Sequence, residues 1–153
     1  MKAEEKFMRA ALMQAKKAEH KLECPIGAVV VYNDKIIARA HNLREINSNA
    51  LAHAEILAIG KACKKLGAWR LSGCDLYVTL EPCPMCAGAI IQSRIKHVYF
   101  GAYDKKAGCC GSVCDLFKPG MFNHNTNVIG GILEKECSSI LSDFFKKLRK
   151  QKK

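Results

Sequence analysis

The sequence predicts an α/β protein: a three-layer α/β/α sandwich on a five-stranded mixed sheet. Three observations predict it. Residues 74–100 read as strand, helix, strand, which is a parallel βαβ unit. Residues 28–40 read as two strands joined by a tight turn, so the sheet also holds an antiparallel pair. The whole chain follows the order α-β-β-α-β-α-β-β-α, which leaves helices to cover both faces.

Residues 3–21 place Phe7, Met8, Ala11, Leu12 and Ala15 on one stripe, with Lys and Glu elsewhere, as in an amphipathic helix. Cys24-Pro25-Ile26-Gly27 breaks that helix. Ala28–Tyr32 is a β-branched strand, Asn33-Asp34 a tight turn, and Lys35–Ala40 the returning strand. A polar loop, His41 to Asn49, leads into a helix at about 52–66, which Gly67 ends. Cys74–Leu80 is a strand rich in Val, Tyr and Thr. Pro82-Cys83-Pro84 opens a helix to about Arg94, since proline suits a first turn. Ile95–Phe100 is the next strand. An irregular stretch follows, with helical potential near Val113–Phe117. Val128–Ile132 is a short strand, and a last helix runs from about Glu134 to Arg149.

At 153 residues, 49% hydrophobic and 25% charged, the chain reads as one domain, 1–153, with a basic C-terminal helix and tail at about 134–153. No apolar run approaches the roughly 18 residues of a membrane span. The charged start, Met1 to Lys6, predicts no secretory signal. Nine cysteines are an odd count, and two of them sit at a metal spacing, so a reduced cytoplasmic setting fits better than a disulfide framework. The remaining seven read as small packing residues. Cys109-Cys110-x-x-x-Cys114 lacks a His or further Cys at a familiar spacing for a second metal site. A net charge of +11 favours a polyanionic partner over a merely solvated basic face.

The chemistry lies in His53-Ala54-Glu55 and Pro82-Cys83-Pro84-Met85-Cys86. Together they supply three metal ligands, His53, Cys83 and Cys86, and one acid, Glu55. Structural zinc sites close all four positions with protein atoms, whereas catalytic ones keep a place for water. The two cysteines fall in the first turn of one helix, where the helix dipole should deliver both as thiolates. Glu55, two residues beyond His53, is placed to move a proton without binding the metal. Alone, Cys-x-x-Cys is equally half of a structural site or a redox pair. The combination with His-x-Glu at a second helix start is far more specific. His20, His41 and His97 do not read as ligands, although His41 adjoins Asn42.

The His-x-Glu…Pro-Cys-x-x-Cys pattern resembles the zinc nucleobase deaminases. Leu76–Ala89, Gly101-Ala102-Tyr103-Asp104, Phe122-Asn123-His124 and Ser142-Asp143-Phe144-Phe145 resemble the bacterial tRNA-specific adenosine deaminase family in particular. The resemblance covers about residues 5–150. It implies a cytidine-deaminase-like fold, one Zn²⁺ per subunit, a homodimer, and hydrolysis of adenosine to inosine at wobble position 34 of tRNA. The chief substrate it implies is the arginine tRNA with anticodon ACG. Glu55 would carry the water proton to N1 of adenine and help ammonia leave. Asn42 would hold the base edge, with Ile26 and the backbone of Ala54 and Pro82 as walls. Asp104, Lys106, Asn123, His124 and Phe145 would grip the anticodon stem-loop. Phe144-Phe145 before a run of Lys and Arg fits a stacking platform beside a phosphate-binding arm, with one ring inward and one outward. Two rival readings remain: a deaminase of free guanine, cytosine or a nucleoside, and a non-catalytic zinc protein that binds RNA. Residues 117–121 match no function.

Overall fold

A computed structural model of the chain describes residues 2–151. Met1, and Lys152 and Lys153 of the expected basic tail, lie outside the described residues. The described residues form α1 (Ala3–His20), β1 (Gly27–Tyr32), β2 (Lys35–His41), α2 (Ala54–Leu66), β3 (Asp75–Leu80), α3 (Pro84–Gln92), β4 (His97–Ala102), β5 (Asn127–Ile129) and α4 (Glu134–Gln151). The sheet order is β2-β1-β3-β4-β5. β1 lies antiparallel to β2 and β3, while β3, β4 and β5 run parallel.

Two apolar layers hold the sandwich together. Val29 and Val31 of β1 point to α1, where they meet Phe7, Met8, Ala11 and Leu12. Their neighbours Ala28 and Val30 point the other way, to Ala58 and Ala62 of α2 and Ile90 of α3. A strand covered on both faces must be apolar throughout, which explains the unbroken Val-Val-Val run. Cys137 of α4 joins the α1 layer beside Ala102. The β1–β2 turn places Asn33 (φ 50) and Asp34 (φ 60) in the left-handed region, as a type I′ hairpin requires.

Gly27 opens β1 where α1 crosses it. A Cβ there would overlap the Ala11 carbonyl oxygen and the Ala15 amide. Gly27→Ala is therefore expected to cost about 2 kcal/mol by overpacking, a fall in Tm of about 4–8 °C for a chain of this size. An unchanged melting curve would mean that α1 can move away without loss.

Several boundaries differ from the sequence reading. The stretch near Val113–Phe117 is not helical but turns, with one bridge between Cys110 and Asp115. Val113 and Leu116 donate to the Gly108 and Cys109 carbonyls rather than to the i−4 carbonyls of a helix, Phe117 donates to the Asp115 side chain, and Cys110 and Ser112 just before them donate to the Glu81 carboxylate. The fourth strand starts at His97 rather than Ile95. The Ile95 carbonyl is already used, accepting from the Thr126 hydroxyl and His124 Nε2–H. α3 ends at Gln92, and Arg94 turns left-handed (φ 65). The fifth strand stops at Ile129, because Gly130 lies directly against the Phe100 ring and Gly131 is left-handed (φ 82). α2 begins at Ala54, with His53 as its N-cap.

Candidate metal centre and active site

Two helix N-termini face each other beyond the carboxyl end of β3. His53 caps α2 in an extended conformation (φ −73, ψ 152), so its ring swings away from the helix body. Cys83 caps α3 (φ −77, ψ 174), Pro84 forms its first residue, and Cys86 lies three positions beyond Cys83. The polar loop before α2 folds back through Leu43 N to Ala52 O at 3.0 Å and His53 N to Leu51 O at 2.8 Å. In an α/β sheet, ligand sites collect beyond the carboxyl ends of strands, and this pair of caps lies there.

One donor atom from each of His53, Cys83 and Cys86 lies within 4.8 Å of the other two. His53 Nδ1 is 3.7 Å from Cys83 Sγ and 3.5 Å from Cys86 Sγ. Tetrahedral zinc with Zn–N and Zn–S bonds of ordinary length sets its nitrogen and sulfur ligands about 3.6 Å apart. The three donors thus fit one tetrahedral ion, with a face left open.

The electrostatics correct the expectation that both cysteines arrive as thiolates. Cys83 is lowered to about 4, because the Cys86 thiol donates to it and His53 lies beside it, against the opposing effect of burial. Cys86 is raised instead: it is the donor to Cys83, it is buried, and the Glu55 carboxylate disfavours a further negative charge. A divalent cation is what makes two adjacent thiolates tolerable. Glu55 is 4% exposed, and burial raises it to about 7, partly offset by a backbone hydrogen bond and by His53. His53 is raised in turn, first by its hydrogen bond to Cys83.

Other expected site residues fall into two groups. Asn42 is buried; its amide donates to Ile26 O at 3.1 Å, and its Oδ1 accepts from Arg44 N at 3.1 Å. Asn42, Arg44, Cys24 and Phe145 line a cleft of about 270 Å³. Phe144 is buried and Phe145 is 43% exposed, their rings meeting edge to face at 5.5 Å. Asp104 and Lys106 follow β4 beside Pro82, whose carbonyl accepts from Cys109 N at 2.8 Å. Ala54 is fully buried, in the first turn of α2.

Asn123 and His124 are not brought to this place. His124 is anchored to Ile95 O at 2.8 Å and shares a cleft of about 380 Å³ with Arg70, Ser72, Arg94 and Lys96. That cleft lies at the amino ends of β3 and β4, a strand length of about 20 Å from the metal ligands. Of the other histidines, His41 bonds to Gln14 and Lys21, and His97 pairs with Asp75 at 2.8 Å. Cys109 and Cys114 bring their sulfurs to 3.0 Å.

Sequence reasoning passed over two buried carboxylates beside the site. Glu23 accepts from Glu45 N (3.1 Å) and Ile46 N (2.7 Å). Glu81 accepts from the amides of Asp104 (3.0 Å), Cys110 (2.9 Å) and Ser112 (3.2 Å) and from the Ser112 hydroxyl. Burial alone would raise Glu81, yet these donors hold it below the usual carboxylate range. The available signal was an acid directly after a largely buried strand and directly before the metal motif.

The chain matches the MafB19-like deaminase family over residues 2–149. It is 57% identical to a Bacillus subtilis tRNA-specific adenosine deaminase, over all of this chain and 95% of the relative. A structure from work on A-to-I editing by tRNA:A34 deaminases superposes with a TM-score of 0.83 at 44% identity, covering 88% of this chain and 98% of that one. A guanine deaminase structure from Bacillus subtilis matches at 43% identity with a TM-score of 0.63, over 65% of this chain and 64% of its own. Full-length similarity of this degree, on a sheet that sets three metal donors beside a buried acid, means that the chain belongs to the tRNA-specific adenosine deaminase family.

Proposed function

We propose that this chain hydrolyses adenosine to inosine at wobble position 34 of tRNA, chiefly an arginine tRNA with anticodon ACG. The observation that carries the reading is a buried Glu55 next to three donors spaced for one ion, in a chain alike end to end with the tRNA-specific enzymes. His53, Cys83 and Cys86 would hold Zn²⁺, which when bound supplies activation of water near neutral pH. Glu55, raised to about 7, can accept the proton of the attacking water and return it to N1 of adenine. A second transfer lets ammonia leave C6. Adenosine and water thus give inosine and ammonia, with Glu55 restored. Asn42 would meet the base edge between Ile26, Ala54 and Pro82.

The RNA would lie over Asp104, Lys106 and Phe145, where the exposed ring can stack on an unpaired base. His124 lines the basic cleft at the far end of the sheet, and it and its neighbour Asn123 would meet RNA there. We also hold the chain to be one domain and a homodimer; Ile46 and Leu51, in the loop that leads to His53, are large apolar side chains left exposed in the single chain. A cytoplasmic setting accords with the substrate, and no described helix is long and apolar enough to cross a membrane.

The test is deamination of an arginine tRNA transcript with anticodon ACG, read as A-to-G at position 34. No conversion by folded, zinc-loaded protein would transfer the reading to a free-base deaminase, with guanine tried next. The tail gives a separate test. Residues 148–153 carry four cations, and their deletion should weaken tRNA binding. The slope of log affinity against log salt should fall by about 0.7 for each phosphate that the tail neutralises. An unaltered slope would show that the tail does not touch phosphate.

A further inference from the structure

We propose that Glu81 is a positioning residue that locks the Asp104–Ser112 segment in register with the metal ligand Cys83. The inference rests on the reading of Asp104 and Lys106 as residues that meet RNA. Glu81 stands between the two parts it joins. Its own amide donates to Ala102 O at 2.8 Å, at the end of β4, and Cys83 follows two residues later. Its side chain accepts four hydrogen bonds, all from the segment after β4: Asp104 N and the Ser112 hydroxyl on Oε1, Cys110 N and Ser112 N on Oε2. The next residue, Pro82, accepts from Cys109 N.

A packing role alone does not require this side chain. Burying a carboxylate is costly unless its oxygens are fully bonded, and an aliphatic residue would close the strand at no such cost. What the carboxylate supplies is a fixed end point for three amides of an irregular segment that otherwise has only turn bonds, the Cys109–Pro82 contact and one isolated bridge to hold it. The segment is shaped to reach it. Gly108 lies against the carboxylate, where a Cβ would overlap Glu81 Cδ. Asp104 caps its own turn, its Oδ1 accepting from Lys106 N (3.0 Å) and Ala107 N (3.1 Å). The residues that would touch RNA are thereby tied through one side chain to the residue that would hold the metal.

The test is Glu81→Gln in the full chain. Whichever way the amide is turned, at least one segment N–H faces a donor. Metal content and kcat should stay within about threefold of the unmodified chain, while KM for the tRNA rises about tenfold. Amide exchange at Asp104, Cys110 and Ser112 should quicken, with α3 unchanged. Ser112→Ala, at an exposed position and removing one of the four bonds while leaving the three amides in place, should shift KM the same way by about threefold. Unchanged KM with unchanged exchange would overturn the proposal. So would a loss of metal with KM intact, which would make Glu81 a prop for Cys83 alone. If the unmodified chain does not turn over tRNA, the substrate reading fails, and exchange at these three amides still decides whether Glu81 fixes the segment.

Discussion

Glu55→Ala should reduce deamination by at least the factor of about 10²–10⁴ that a positioned acid–base group contributes, while leaving metal content and tRNA affinity in place. The separation is the informative part. Glu55 is outside the group of three donors, so its loss removes no ligand. It is buried and its pKa stands at about 7, so near neutral pH it can both take and give a proton. Metal analysis, a binding titration and single-turnover rates on one preparation check all three parts. Substantial turnover by the variant would mean that another group moves the proton. An unaltered biological effect with no turnover would favour a non-catalytic RNA-binding protein.

Cys83→Ala should produce the opposite pattern: the metal goes first and activity with it. Losing a ligand should weaken metal binding by more than the about 10–100-fold that loss of an outer partner costs. The fold should survive, because α2 and α3 are held by the apolar layer around Val30, Leu76 and Ile90 rather than by the ion. Stability then reports on the site. At free zinc of 100 times Kd the unmodified chain gains about 2.7 kcal/mol, and the variant should gain almost nothing. The measurement is the shift in Tm on adding zinc to the metal-free forms. Equal shifts would place the ion elsewhere. His53→Ala should behave alike, since its Nδ1 is the donor nearest both sulfurs.

Much of this molecule was legible in the sequence because its signals are local. The Val29–Val31 run, the Asn33-Asp34 turn and the stripe from Phe7 to Ala15 each report a period or a backbone requirement within a few residues. The strand order is matched by the family's known structures. Legibility failed where side chains at long range capture backbone groups. Glu81 takes amides 23 to 31 residues away, up to Ser112, and the turns that follow at Val113 close on the Gly108 carbonyl instead of continuing as a helix. His124 and Thr126 take a carbonyl about 30 residues back and so delay the fourth strand. The sequence also left open which of Phe144 and Phe145 faces outward, because adjacent helical positions differ in burial only through what α4 packs against; the inward ring is Phe144. Nor could a shared helix start reveal that Cys83 is lowered and Cys86 raised, since that follows first from the hydrogen bond between the two thiols and then from burial and from His53 and Glu55 folded around them.

The antiparallel pairing of β1 with β3 also sets the length of chain that folding must close across the middle of the sheet. Ala28 faces Val78, a closure of 50 residues, and β3 lies between the two ligand segments in the chain. His53 and Cys83 meet across 30 residues, a shorter closure than that of the sheet, whose larger loop-closure entropy is met by the apolar burial of Ala28, Val30 and Val78. Because this burial involves no metal ligand, folding of the metal-free chain should proceed at nearly the rate of the loaded one, and a rate that rises steeply with zinc would show that the ion takes part in the closure.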